Sequence, residues 1–213
     1  MNQDLQEKKD IRDRIIEVAG EIFAEKGYQN TTVRDICQKA NTYQLSINYH
    51  FGSKENLFKE VLLKTYQDTL EANLIERIKD LPLEKQLEEI IATRVKSIFS
   101  KGRDGIHFRI ILKEIPQNYN LVVETMRNPL LNYLEEVKKV IWNLSDRKLH
   151  DFGLNYCASL IVSHIAVLSM HEKARVLLFD TKNPDEKQLE KFINYTKNFV
   201  LAGIEKMKHE DIL

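Results

Sequence analysis

Backbone breakers are scarce in this chain. Seven glycines and four prolines stand in 213 residues, about 5% against the roughly 12% of average usage. A β-sandwich needs a turn signal roughly every 8–12 residues, and so few breakers do not provide them. The remaining residues are rich in Glu, Lys, Leu and Ile, which favour helices. With 43% hydrophobic residues the chain can bury one sizeable core, or a small and a larger one. The expected fold is all-α.

The 32 Lys and Arg balance the 32 Asp and Glu to a net charge of zero. That balance argues against a basic chromatin-type protein, a polyanionic tail, or a chain held to membranes mainly by charge. Cys37 and Cys157 are 120 positions apart, without a CxxC or a nearby His partner, so neither a zinc site nor a disulfide framework is expected. Residues 1–14 are dense in charge and lack the apolar stretch of a secretory signal. The most apolar run, 158–170, is interrupted by serine and His164 and is too short to span a bilayer. A soluble cytoplasmic protein is expected, without cofactor or metal.

The sparse glycines and prolines act as punctuation. Apolar residues at Ile15, Val18, Ala19, Ile22 and Phe23 form a helical stripe that stops at Gly27, a C-cap. Thr32 and Asp35 are spaced as a capping box and open a short helix to Lys39. Asn41, which tolerates a left-handed backbone, marks a tight turn. A second short helix runs from about Tyr43 to His50. Ser53 caps a long one, with Leu57, Phe58, Val61, Leu62, Leu70, Leu74 and Ile78 on its apolar side. Further helices are expected at 83–100, 106–115, 121–142, 149–179 and 186–207, about nine in all.

Two short helices joined by a tight turn and braced by a longer one form a helix-turn-helix pattern. Gln44 on the second helix can pair bidentately with adenine, and Tyr43, Ser46 and Asn48 offer polar or stacking contacts to bases. Arg34, Tyr49, His50 and Lys54 suit phosphates. Ile36, Ala40, Leu45, Ile47 and Phe51 are expected to face inward. Spacing alone leaves a plain helical scaffold open.

Residues 15–58 resemble the tetracycline-repressor (TetR) family of transcriptional regulators. The matching residues are Ile15-Ile16, Ala19, Phe23, Glu25 to Tyr28, Thr31 to Val33, Asp35-Ile36, Ala40, Tyr49 to Phe51, Ser53 to Glu55 and Leu57. The resemblance implies a three-helix DNA-binding head at residues 1–55 and an effector-binding, dimerising helical body at 56–213. It places base readers at Tyr43, Gln44, Ser46 and Asn48, and backbone contacts at Thr32, Arg34, Tyr49, His50 and Lys54. Departures fall at Asn41, where the family has a turn glycine, at Thr42, at Tyr43, where it has a capping serine, and at Asn48. They bear on which bases are read.

In the body, the resemblance implies a homodimer through the last two long helices, about 150–172 and 186–207. Leu160, Ile161, Val167, Leu168, Phe192, Val200 and Ile204 suit either that seam or one subunit's own core. Phe108, Arg109, Tyr133, Trp142, Tyr156 and His164 are candidates to line a pocket for a small hydrophobic effector, although aromatics are more often core. Glu114 can project into such a cavity or pair with Arg109. His164 and His171 share a helix face that His107 can approach, but satisfied histidines are commoner than metal ligands. No HExxH, GxSxG or phosphate-loop lysine pattern is present, and no enzyme activity is expected.

The expected function is a dimeric, ligand-responsive repressor released from a palindromic double-stranded DNA operator by its effector. The alternative is a helical small-molecule-binding or adaptor protein without operator recognition. Residues 1–60 hold nine basic and ten acidic residues, yet within 31–54 Arg34, Lys39 and Lys54 face only Asp35. Few phosphate contacts and a shallow salt dependence follow.

Overall fold

The computed structural model describes residues 2–69, 72–100, 102–170 and 172–209, with side chains from Asp10 onward except at 104, 164–170 and 172–174. Among these residues there are ten α-helices, one 3-10 turn and no strand. The helices are α1 (Asn2–Lys26), α2 (Val33–Lys39), α3 (Gln44–Phe51), α4 (Lys54–Gln67), α5 (Leu74–Ile78), α6 (Leu83–Phe99), α7 (Ile106–Leu144), α8 (Asp151–Met170), α9 (Glu172–Phe179) and α10 (Glu186–Met207). All-α is the fold, with one helix more than the nine expected.

The difference comes from three places. The long helix expected from Ser53 ends at Gln67, where the Thr69 hydroxyl bonds back to the Tyr66 carbonyl at 2.7 Å. Such local bonding competes with helix continuation, and α5 begins separately after Asn73. The stretch expected as one helix over 149–179 is helical as α8 and α9 on either side of His171, which lies outside the described residues. Conversely, 106–115 and 121–142 run together as α7 across a kink at Asn118, with φ −132° and ψ 42°. Pro116 lies just before the bend and lacks the N–H that would reach back one turn.

The chain divides into two compact units: Met1–Thr69 with Lys101–Arg127, and Leu70–Ser100 with Asn128–Leu213. In the first, α1 packs on α4 and α2, and α3 on α2 and α4. Its core holds Ile15, Ala19, Phe23, Ile36, Ala40, Ile47, Leu57, Phe58 and Val61, joined by Ile106 and Ile110 of α7. Phe58 is fully buried, edge-on to Phe23 with centroids 5.0 Å apart, and 5.0 Å from the Tyr28 ring. Edge-to-face contacts at this spacing add to area burial. The turn chemistry read from sequence is present: Gly27 has φ +80° and Asn41 φ +47°, and the Thr32–Asp35 capping box is complete.

In the second unit α6 packs on α5, α8 and α10. Leu87, Ile90, Ile91, Val95, Val137, Ile141, Ile161 and Ile204 are buried. Lys197 of α10 reaches Glu88 of α6 at 2.7 Å, and Lys208 reaches Asp146 at 3.0 Å. The Lys197 ammonium, with Lys85 behind it, holds the Glu88 carboxyl below the ordinary carboxylate value. Among the described residues no helix is long and apolar enough to cross a membrane. Replacing Phe58 with alanine is expected to cost about 3–5 kcal/mol, because it opens a cavity where α1, α4 and the 27–31 loop meet. Urea unfolding of the wild type and the variant measures it.

Candidate nucleic-acid interface

Helix α3 is only eight residues long, so its orientation comes from packing rather than intrinsic helicity. Ile47 and Phe51, one turn apart, are buried against Ile36 and Ala40. Arg12 of α1 lies over the Phe51 ring, 5.5 Å from its centroid, and pairs with Glu60 of α4. These contacts fix the inward face, and the opposite face is left to solvent. Tyr43, Gln44, Leu45, Asn48 and Tyr49 are exposed there, while Ser46 and His50 are half-buried.

Leu45 is a correction. It was expected to face inward but is 80% exposed. At about 100° per residue, two positions from Ile47 is a rotation of roughly 200°, so both cannot face the core. An exposed leucine at the start of α3 offers apolar contact of the kind a thymine methyl accepts. The inward spacing of Ile47 and Phe51 was the signal that could have found it.

The cations divide sharply. Thr32 and Arg34 are exposed, and Arg34 has no ion pair among the described residues. Lys39 pairs with Glu21 at 2.8 Å and Lys26 with Asp35 at 3.7 Å. Lys54 points inward: its Nζ donates to the carbonyls of Tyr28 and Thr31, both at 2.9 Å, and sits 4.3 Å from the Tyr28 ring centroid. Its ammonium thus secures the loop that leads into α2. Tyr43 takes the N-cap position of α3 without a side-chain bond to the helix amides, as expected where serine is replaced. Burial pushes the half-buried Cys37 thiol up, away from the reactive thiolate.

Glu114 was not among the interface candidates and proves central to this unit. It is 1% exposed. Its carboxylate accepts the Tyr28 N–H at 2.7 Å and the Asn118 side-chain amide at 2.5 Å. It pairs with backbone, not with Arg109, whose guanidinium donates to the Gly102 carbonyl at 3.3 Å. A Cβ on Gly27 would lie 2.9 Å from the Glu114 oxygen. The glycine therefore provides close approach as well as a left-handed backbone.

The pocket candidates separate. Phe108 and Arg109 belong to the first unit, and Tyr133, Trp142 and Tyr156 to the second. Phe108 and Tyr133 are buried, whereas Trp142 and Tyr156 are 40% and 50% exposed. Trp142 lies on a surface groove under the Arg147 guanidinium. The side chain of His164 lies outside the described residues, as do His171, Val167 and Leu168. His107 is buried, 3.1 Å from the Thr65 hydroxyl, and among the described residues no group of three His, Cys, Asp or Glu could hold a metal. Of the candidate seam residues, Ile161, Val200 and Ile204 fill their own unit's core, and Phe192 packs edge-on against Phe179.

The Thr32 backbone N–H and then its hydroxyl hold the Asp35 carboxyl below the ordinary carboxylate value. A group whose pKa is lowered by folding stabilises the fold above its unfolded value, and that contribution is lost as pH falls through the folded one. In an NMR titration Asp35 should therefore titrate below an ordinary aspartate. In Thr32→Ala, which keeps the backbone N–H and loses only the hydroxyl, it should move part of the way back up, and on acidification α2 should begin to fray at a higher pH than in the wild type.

A profile of the bacterial regulatory proteins of the tetR family matches residues 15–61. The biofilm operon icaADBC HTH-type negative transcriptional regulator IcaR of Staphylococcus aureus (strain Newman) is 40% identical over 50 residues, 24% of this chain and 27% of that protein. The HTH-type transcriptional repressor KstR2 of Mycobacterium tuberculosis is 37% identical over 79 residues, 33% of this chain and 40% of that protein. The chain thus spans less than half the length of these curated relatives. The Bacillus subtilis transcriptional regulator FadR, solved in complex with stearoyl-CoA, has the same fold, with a TM-score of 0.69 over 89% of this chain and 97% of FadR at 18% identity. Residues 15–61 are thus similar to the bacterial regulatory proteins of the tetR family, and the fold is that of FadR over most of the chain.

Proposed function

We propose that this protein is a ligand-responsive, DNA-binding transcriptional regulator that acts as a repressor. The observation that carries the reading is the outward face of α3. Tyr43, Gln44, Leu45, Asn48 and Tyr49 stand exposed on a short helix whose other face is locked by Ile47 and Phe51. These aromatics and amides lie outside the buried core of the unit. They match what base edges in a major groove accept: amides for adenine, an apolar group for a thymine methyl. Thr32, Arg34, Tyr49 and His50 flank the face and take the phosphates. Lys54 belongs to the same site as the group that holds the α2 loop in place.

The repressor works as a homodimer in the cytoplasm, on a near-palindromic double-stranded operator whose half-sites lie about one helical turn apart. Support for the seam comes from Phe152 and Tyr156 on α8 and Tyr195 and Phe199 on α10, all large, exposed and spaced one turn apart in pairs. Exposed apolar patches of this kind mark interfaces. The effector is a small hydrophobic molecule bound in the body. The Ser97 hydroxyl on α6, fully buried and without a hydrogen-bond partner among the described residues, is a polar group such a ligand can satisfy. FadR, solved with stearoyl-CoA, supports an acyl chain as the type. Effector and operator weaken each other by one common factor.

Sequence selection from random DNA tests the reading. Gln44→Ala should relax preference at one base position by about 1–3 kcal/mol. Arg34→Ala should weaken all sequences alike and reduce the salt slope by about one per subunit. An adaptor protein would enrich no sequence and show neither effect. For the seam, Phe199→Glu should shift the protein from dimer to monomer in sedimentation, since it buries a charge in an apolar contact.

A further inference from the structure

Helix α7 is held in the first unit by apolar residues such as Ile106 and Ile110 and, beside them, by polar contacts. His107 meets the Thr65 hydroxyl, Lys113 donates to the Glu25 carbonyl, and Glu114 accepts the Tyr28 N–H. The third differs in kind, because its acceptor is an almost fully buried carboxylate and its donor is backbone in the loop between α1 and α2. The other oxygen of Glu114 is held by the side chain of Asn118, the residue at the bend in α7. Asn118 in turn accepts a bond from Gln29 of the same loop at 3.2 Å. From Tyr28 the chain has only three residues to run before Thr32 caps α2.

We propose that Glu114 is a positioning residue that couples the bend of α7 to the placement of the DNA-reading helices. The inference rests on the regulator reading above. The bond is charge-assisted and its acceptor is buried: withdrawing the nearly inaccessible Glu114 carboxylate from the part-buried Tyr28 N–H leaves that carboxylate short of a partner, which is costly. With the bend as it stands, Asn118 orients the carboxylate, the carboxylate fixes Tyr28, and Lys54 fixes the next carbonyls. A change of bend at Asn118 removes the group that orients Glu114 and frees the loop at its amide. Helix α7 continues beyond residue 127 into the second unit, so the body's state has a covalent route to this bond. Coupling of this kind is reciprocal, and operator binding must therefore stiffen the bend.

The test uses the full chain and a DNA site enriched by the wild type from random sequence. Glu114→Ala should lose about tenfold in affinity for that site, the equivalent of about 1.4 kcal/mol, while affinity for unrelated DNA stays unchanged. In the wild type, hydrogen exchange of the α7 amides at 119–122 should slow when the site is added; in Glu114→Ala that response should vanish. Glu114→Gln keeps the volume and one acceptor. It should fall between the two, and it serves in place of the alanine variant should that not fold. Wild-type affinity and an intact exchange response in both variants would overturn the proposal. Failure of the wild type to enrich any DNA would count against the regulator reading itself, a separate outcome.

Discussion

The backbone of Tyr28 is gripped by opposite charges. The Glu114 carboxylate takes its N–H and the Lys54 ammonium its carbonyl, while its ring lies against Phe58 and under Lys54. Loops ordinarily run in water because their polar groups need partners. In this one Gln29 and Asn30 stay exposed, while charged side chains from α4 and α7 take the N–H and carbonyl of Tyr28. Without that grip α1 and α2 would be joined by a loose segment, and the capping box at Thr32 would have no fixed origin. Gly27 makes the arrangement possible, since any side chain there would collide with the Glu114 oxygen.

With the loop fixed, the head needs few anchors. Ile36 and Ala40 on α2 and Ile47 and Phe51 on α3 close against the α1–α4 pair, and Gln44, Leu45, Asn48 and Tyr49 of α3 are left exposed. The same economy explains why Leu45 can stand in solvent. Packing is already complete without it, so its exposure is no defect of the core but a property of the outward face.

Much of this was legible in the sequence, because local rules governed it. Gly27, Asn41, Ser53 and the Thr32–Asp35 pair announce turns and caps through their own backbone preferences, and they stand where expected. What escaped depended on partners distant in the chain. Lys54 reads as a phosphate ligand from its place at a helix start, and only the fold brings it under the carbonyls of Tyr28 and Thr31. Glu114 lies 86 positions from Tyr28, and no periodicity announces a carboxylate whose partner is a backbone amide. The end of α4 was missed because apolar spacing continued across it, while the break at Thr69 lies in one hydroxyl's bond to the Tyr66 carbonyl. Aromatic content did not separate pocket from surface: Phe108 and Tyr133 are buried, and Trp142 is not.

The inward commitment of Lys54 and the pairing of Lys39 with Glu21 leave Arg34 as the main uncommitted cation of the helix-turn-helix. For a regulator this affects how it searches a chromosome. Proteins with many free lysines spend most of their time held on arbitrary DNA and reach their targets by sliding. A head with so few would pass most of its time in free solution and arrive by repeated three-dimensional encounters. Fewer copies would be sequestered on the bulk of the genome, so a small cellular pool would be enough to keep one operator occupied.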